Sequence, residues 1–132
     1  RRYSGFVREM VLSHPLTNFN VPHFGFSRKA MSHLLEACPN CYTDTSALMP
    51  FMEEDPSNYR SFIQEYQDRI LYGSDAFIGN PGAIKSSVLF MERLLQGPEL
   101  FHTLVNTNYK LFHGHVGQNA PLQGDGPILA LV

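Results

Sequence analysis

The sequence has few cysteines, no strongly basic stretch and no long hydrophobic run. Of its 132 residues, 10 are Lys or Arg and 12 are Asp or Glu, which gives a net charge of -2. Because no basic stripe is present, nucleic acid and acidic membrane surfaces are not expected as partners. No apolar run approaches the roughly 18 residues that a membrane span requires. No basic segment followed by an apolar one opens the chain, so we expect no secretory signal and a cytoplasmic location.

The only two cysteines are Cys38 and Cys41, in the sequence Cys-Pro-Asn-Cys. A zinc site of this type needs two further ligands at suitable spacing, and a second Cys-x-x-Cys pair is absent. A redox pair normally opens a helix, whereas this pair lies where a predicted helix ends and a predicted strand begins. We therefore predict two structural thiols beside a Pro-Asn turn, with a thiol–disulfide function as an alternative.

Short strand-like segments alternate along the chain with segments of helical period. With 43% hydrophobic and 17% charged residues, the chain has the composition of one globular domain. The pattern predicts helices at 3–13, 28–37, 58–67, 83–95 and 99–112, strands at 19–23, 41–44 and 69–73, and loops at 48–56 and 74–82. Strands separated by helices in this way pair in parallel. The sequence therefore predicts an α/β domain over residues 1–114.

The predicted strands are too few to complete a parallel sheet. A sheet has about five or six strands on average, and a (β/α)8 barrel has eight strands in about 250 residues. We therefore expect this chain to form the end of a larger fold. Residues 115–132 are rich in glycine and have no hydrophobic period, which predicts a loose C-terminal tail.

Two of the strand-like runs end on side chains that can do chemistry. The run 69–77 stops at a Gly-Ser-Asp turn that carries Asp75, and the run 16–26 leads to His23. In parallel α/β proteins, active sites lie at the carboxyl ends of the strands. An imidazole and a carboxylate at this edge are groups that metal-assisted hydrolases use. Because one strand separates them, their Cα atoms are expected on the order of 10 Å apart.

Five stretches of the sequence, taken in order, resemble one family. The region from 6 to 114 is similar to the C-terminal part of the amidohydrolase-related, metal-dependent hydrolases, in the branch of aminocarboxymuconate-semialdehyde decarboxylase-like enzymes. The matching stretches are Asn18-Phe-Asn-Val-Pro-His-Phe-Gly25, Cys38-Pro-Asn-Cys-Tyr-Thr-Asp-Thr-Ser46, residues 65–68, Arg69-Ile-Leu-Tyr-Gly-Ser-Asp75 and Asn108-Tyr-Lys-Leu-Phe112. They look like the sixth and seventh barrel strands, the helix before the eighth strand, the eighth strand and the closing helix. The resemblance implies the C-terminal portion of a (β/α)8 TIM barrel, about three βα units plus closing helices.

The resemblance also implies catalytic roles for the two strand-end residues. Asp75 occupies the position of the strand-eight aspartate, a metal ligand or a proton acceptor for a metal-bound water. His23 occupies that of the strand-six histidine, an acid/base or a ligand of a second metal. These roles imply a divalent metal, with zinc as first choice, and a metal-activated water that hydrolyses or decarboxylates a small organic acid or amide.

The resemblance leaves part of the family's site without a counterpart. The strand-one His-x-His pair and the strand-five histidine are not found in this sequence, so we expect an incomplete enzyme that is inactive alone. A small-molecule substrate is expected, and the full-length form is expected to be a homodimer. The alternative is a non-catalytic α/β binding or interaction module, in which His23 and Asp75 are structural.

Other polar and hydrophobic side chains keep two interpretations open. Asp44, in Asp-Thr-Ser, either orients a neighbour by hydrogen bonding or caps the following turn. Side chains of the 48–56 loop either line a substrate pocket or cover the barrel rim. The loop residues in question are Met49, Phe51 and Met52. Histidines without a catalytic assignment are His14 and His33, interpreted as structural or solvated, and His102, His113 and His115.

Overall fold

The computed structural model describes residues 2–114 and the pair Leu129–Ala130. The helices are α1 (Arg2–Ser13), α2 (Arg28–Ala37), α3 (Met49–Glu54), α4 (Pro56–Glu65), α5 (Gly82–Leu94), α6 (Pro98–His102) and α7 (Asn108–Phe112). A π-helix, Thr103–Thr107, joins α6 to α7. The strands are β1 (Phe19–Val21), β2 (Cys41–Asp44), β3 (Ile70–Leu71) and β4 (Leu129–Ala130).

The strands form one parallel sheet in the order β3-β2-β1-β4. Phe19 pairs with Cys41, and Thr43 pairs with Ile70, so β2 lies between the strands that lead to His23 and Asp75. The prediction of an α/β fold in which β1, β2 and β3 pair in parallel is confirmed.

A fourth strand comes from the segment that was predicted to be a loose tail. Leu129–Ala130 pair with Phe19 and Asn20 on the outer edge of β1. The rest of the predicted tail, 115–128 and 131–132, lies outside the described residues.

Several predicted element boundaries were wrong, and proline explains two of them. The strand predicted at 19–23 ends at Val21, because Pro22 has no N–H to donate to a neighbouring strand. The loop predicted at 48–56 contains helix α3, because Pro50 lies in its first turn, where a proline is compatible with a helix. The strand predicted at 69–73 is reduced to Ile70–Leu71. The single helix predicted at 99–112 is interrupted by the π-helix.

The two faces of the sheet are buried by different parts of the chain. One face packs against the helices and includes the side chains of Phe19, Val21, Cys41 and Ile70. The opposite face is covered by α7, where Phe112 and Tyr109 pack on Tyr42 and Leu71. Because side chains alternate across a strand, Asp44 lies on the α7 side together with Tyr42. None of the helices in the described part of the chain is long and apolar enough to cross a membrane.

Candidate active site at the carboxyl edge of the sheet

His23 lies in a left-handed turn directly after β1. The φ angles are +60° at His23, +50° at Phe24, +56° at Gly25 and +56° at Phe26. The left-handed conformation costs roughly 1–2 kcal/mol for each residue other than glycine. Strained backbone of this kind occurs preferentially at functional sites, where the surrounding structure holds it in place.

Packing and a helix cap hold this turn. The Phe24 side chain is buried, with its ring centroid 4.9 Å from that of Phe62 and 6.2 Å from that of Tyr59. Immediately after the turn, the Ser27 hydroxyl accepts a hydrogen bond from the Ala30 N–H at 3.2 Å and caps helix α2. The turn is therefore fixed to α2 and α4, and it places His23 at the carboxyl edge of the sheet.

The imidazole of His23 is oriented by Ser46, which follows β2. Its Nδ1 atom lies 2.7 Å from the Ser46 carbonyl oxygen and 2.9 Å from the Ser46 hydroxyl. A carbonyl oxygen can only accept a hydrogen bond, so Nδ1 carries the proton and donates. Within the described residues nothing bonds to Nε2, which is therefore the free nitrogen lone pair of the ring. The ring also packs against Phe26, with 5.1 Å between centroids.

Asp44, the last residue of β2, accepts hydrogen bonds from both sides of the site. Its Oδ1 accepts from the His23 N–H at 3.2 Å, from the Ser46 N–H at 3.0 Å and from the Ser46 hydroxyl. Its Oδ2 accepts from Asn20 Nδ2 at 2.7 Å. Both interpretations of Asp44 are therefore correct, since this buried carboxylate caps the turn after β2 and also contacts His23.

Asp75 follows β3 and lies at the same edge of the sheet as His23. It has a φ of +56° and an exposed side chain. The Asp75 carboxylate forms no hydrogen bond or ion pair with any other described residue. The structure thus places His23 and Asp75 beyond the carboxyl ends of parallel strands on either side of β2, but no bond joins them.

The glycine of the Gly-Ser-Asp turn is required by close packing against Ser46. A Cβ atom on Gly73 would lie 3.0 Å from the Ser46 Cβ, which is too close for an ordinary contact. The Thr45 hydroxyl strengthens this junction, because it donates to the Gly73 carbonyl and accepts from the Gly73 N–H, each at 3.1 Å. The end of β3 is therefore fixed against the segment that orients His23.

A small cavity of about 140 Å³ opens beside His23. Its walls include Phe26, Phe51 and Tyr59, together with Arg28 at the start of α2. The Arg28 guanidinium forms an ion pair with Asp55 at 2.9 Å and stacks on the Tyr59 ring at 4.1 Å. Of the three loop residues considered for a pocket, Phe51 does line this cavity. Met52 does not line the cavity, because its side chain is completely buried in the core, and Met49 is not among the lining residues either.

These residues supply suitable donor atoms for a metal but not a complete set. An imidazole nitrogen and a carboxylate oxygen are ordinary zinc ligands, and a catalytic zinc needs three protein ligands and an open position. Among the described residues, no group of three or more His, Cys, Asp or Glu could hold a metal ion. The described part of this chain therefore does not form a metal centre by itself.

The sequence pattern points to only some of the side chains that orient His23. It indicates a role for Asp44 but none for Asn20 or Ser46. The Asp-x-Ser spacing and the parallel strands could have drawn attention to Ser46, since both His23 and Ser46 come just after neighbouring strands. Asn20 could be found only from the register, which pairs it with Tyr42 and so places it diagonally next to Asp44.

The other histidines have structural or solvent-exposed positions. His14 lies at the end of α1, where its Nδ1 is 2.8 Å from the Met10 carbonyl oxygen. His33 is exposed on α2, and His102 and His113 belong to the helical C-terminal region. His115 lies outside the described residues.

One comparison with known proteins gives a family match. The amidohydrolase family model matches residues 4–108, a region that contains the left-handed turn, β2 and the Gly-Ser-Asp turn. No curated protein and no solved structure gave a match. With the family model covering most of its length, the chain belongs to the amidohydrolase family.

Proposed function

We propose that this chain forms the last three βα units of a (β/α)8 barrel in a metal-dependent hydrolase, or a related decarboxylase, of a small organic acid or amide. The decarboxylase-like branch named by the sequence resemblance is part of the proposal. The observation that carries it is the fixed imidazole of His23, whose free Nε2 lies at the edge where parallel α/β enzymes have their active sites. Amidohydrolase-family membership supports a hydrolase-type enzyme.

His23 has the features of a group that moves a proton. Its Nδ1 is engaged by Ser46, so proton transfer takes place at Nε2. In the neutral form Nε2 accepts a proton from water or substrate, and in the charged form it returns one to the leaving group. Asp75 contributes an exposed carboxylate at the same edge, free to bind a cation or to accept a proton.

Members of the amidohydrolase family usually bind divalent metals, and we propose zinc with Asp75 as one of its ligands. When bound, such a metal would polarise a substrate carbonyl and lower the pKa of a bound water to about 7, far below that of bulk water. The remaining ligands would come from strands outside the described residues, because His23 and Asp75 do not suffice.

We propose that the cavity beside His23 receives one part of the substrate. Its volume of about 140 Å³ is well below the 300–1,000 Å³ of a typical ligand site, so it takes only part of a molecule. Aromatic side chains provide flat apolar walls, and Arg28 provides a cationic group. A homodimeric full-length enzyme and a cytoplasmic location remain predictions.

The test compares two aspartates at opposite ends of β3 in the full-length protein. Asp75→Asn should keep the fold but reduce turnover by 10² or more, about 2.7 kcal/mol of barrier. Asp68→Asn is the matched control, because Asp68 is an exposed carboxylate at the amino end of the same strand. Turnover is measured on a panel of small amides and carboxylic acids by release of ammonia and of CO₂, and bound metal by elemental analysis.

Each result separates the proposal from its alternative. Loss of metal and turnover in Asp75→Asn but not in Asp68→Asn supports a metal-dependent enzyme. Release of ammonia identifies amide hydrolysis, and release of CO₂ identifies decarboxylation. Normal turnover in Asp75→Asn contradicts the role of Asp75. A full-length protein with neither bound metal nor turnover on the panel favours the non-catalytic binding module.

A further inference from the structure

One oxygen of Asp44 bonds to three groups that together define the position of His23. Oδ1 accepts from the His23 N–H, the Ser46 N–H and the Ser46 hydroxyl. A carboxylate that only capped the turn after β2 would need the Ser46 N–H alone. The bond to the His23 N–H crosses from β2 to β1 and holds the backbone of a residue whose φ is +60°.

The direction of the hydrogen bond from the Ser46 hydroxyl determines whether the imidazole of His23 faces a donor or an acceptor. Because the hydroxyl proton is donated to Asp44, the hydroxyl oxygen can only accept from the His23 ring. The Ser46 carbonyl beside it also can only accept. Both oxygens therefore favour a proton on Nδ1, and the second nitrogen is left with its lone pair.

Asn20 holds the other oxygen of Asp44 in a single orientation. Its Nδ2 must face the carboxylate, because the amide oxygen in that place would repel it. The Asn20 Oδ1 is consequently buried without a hydrogen-bond partner among the described residues. An unpaired buried acceptor is unfavourable, so the bond to Asp44 dominates the orientation of Asn20.

We propose that Asp44 is a positioning residue that fixes His23 in the Nδ1–H tautomer and presents Nε2 as the reactive nitrogen. The catalytic role of this tautomer rests on the proposed function, whereas the tautomer itself follows from the hydrogen bonds and does not depend on that function. Asp44 acts through the His23 backbone and through Ser46, and it needs no contact with the substrate.

The tautomer is measured by NMR of the full-length protein labelled with ¹⁵N-histidine, at about pH 9, where histidine side chains are neutral. A His23→Gln variant assigns the His23 signals. In the unmodified protein the Nδ1–H form should dominate. In Asp44→Ala the ratio of tautomers should shift about tenfold towards Nε2–H, the factor that corresponds to about 1.4 kcal/mol.

Two variants serve as controls. Asp44→Asn keeps an oxygen for the three donors, and its amide group can donate to Asn20 Oδ1 after Asn20 rotates, so it should retain the Nδ1–H form. Asp55→Ala removes a different carboxylate near the same cavity, one that contacts Arg28 and Asn58, and should also leave the tautomer unchanged.

An unchanged tautomer in a folded Asp44→Ala variant overturns the proposal, because the Ser46 carbonyl alone would then suffice. If Asp44→Ala does not fold, the Asp44→Asn variant decides, and a majority of Nε2–H in it contradicts the proposal. Where turnover is found, Asp44→Ala should lower kcat with little change in KM, and the loss should vanish in a His23→Gln background. Additive losses contradict the positioning role, whereas a protein without turnover leaves the NMR result standing and counts only against the proposed function.

Discussion

Cys38 and Cys41 are free thiols with no exposed surface. Burial raises the pKa of Cys41 from 9.0 to about 12, although Arg69 acts in the opposite direction. Arg69 holds the turn between the two cysteines through the backbone, with Nε donating to the Cys41 carbonyl at 2.7 Å and Nη2 to that of Cys38. Neither sulfur is therefore needed for the turn, which agrees with the prediction of structural thiols.

The buried thiol of Cys41 should make the protein less stable at high pH. Its pKa is higher in the folded state than the ordinary value of 9.0, so its contribution to stability is complete below pH 9 and is lost as the pH rises towards 12. Between pH 9 and 11 the loss is on the order of 2–3 kcal/mol. The measurement is the free energy of unfolding in urea at both pH values.

The control for this prediction is the double variant Cys38→Ala/Cys41→Ala. It should show a smaller decrease between the two pH values, because the remaining decrease then comes from other groups such as Tyr66, whose pKa is raised to about 12 mainly by its hydrogen bond to Glu36. Bound metal and turnover should stay within a few-fold. An equal decrease in both proteins would show that Cys41 does not ionise on unfolding, and loss of metal would restore the zinc-ligand interpretation.

At the scale of single elements, the turn after β1 is unusual because four successive residues have positive φ angles. Gly25 lies at its centre, with a φ of +56°, and glycine is the one residue that adopts this conformation without strain. A Cβ atom at this position would lie 3.3 Å from Met31 Cε and 3.7 Å from Val21 Cγ1. The turn therefore depends on Gly25 both for its backbone and for its fit against α2.

Gly25→Ala should destabilise the protein by about 1–2 kcal/mol, since alanine is strained at positive φ and its methyl group displaces Met31. Gly5→Ala is the matched control. Gly5 lies within α1 and a Cβ atom there would meet nothing within 4 Å, so alanine should stabilise by roughly 0.5–1 kcal/mol. Urea unfolding of the two variants measures both changes. Equal effects of the two substitutions would contradict the strained turn.

At the scale of the whole molecule, the described residues expose much hydrophobic surface. The outer strands of the sheet are β3 and β4, and beyond the end of β3 the Tyr72 N–H donates to the Leu104 carbonyl at 3.2 Å. Several large hydrophobic side chains are exposed, including Phe77 at 71% and Ile78 at 101%. These two belong to the segment after Asp75, at the edge that carries the candidate site.

The isolated 132 residues should therefore self-associate, because exposed apolar side chains are buried when copies pack together. Light scattering after size-exclusion chromatography should give a mass that rises with protein concentration. Phe77→Ser/Ile78→Ser should reduce this association, whereas Ser57→Ala, a change on exposed polar surface, should not. A monomer with one cooperative unfolding transition at all concentrations would contradict both the association and the partial-barrel proposal.

The sequence by itself determined the class of the fold and the ends of the strands that matter. Strand-like segments that alternate with segments of helical period predict βα units. The parallel pairing of β1, β2 and β3 follows from the helices between them. His23 and Asp75 could be selected from sequence because both follow hydrophobic runs and are polar. Both inferences use local information, because the hydrophobic period and the turn residues involve only a few neighbours along the chain.

Only the tertiary structure decided which side chains meet at that edge. The bonds from Asn20, His23 and Ser46 to Asp44 join residues up to 24 positions apart, and they depend on strand register and on the left-handed turn. Proline and glycine indicate a turn after Val21 but do not specify four successive positive φ angles, because packing against α2 and α4 offsets their cost. Contacts between strands arise only when the sheet forms, and for this reason the network around His23 could not be derived from the sequence.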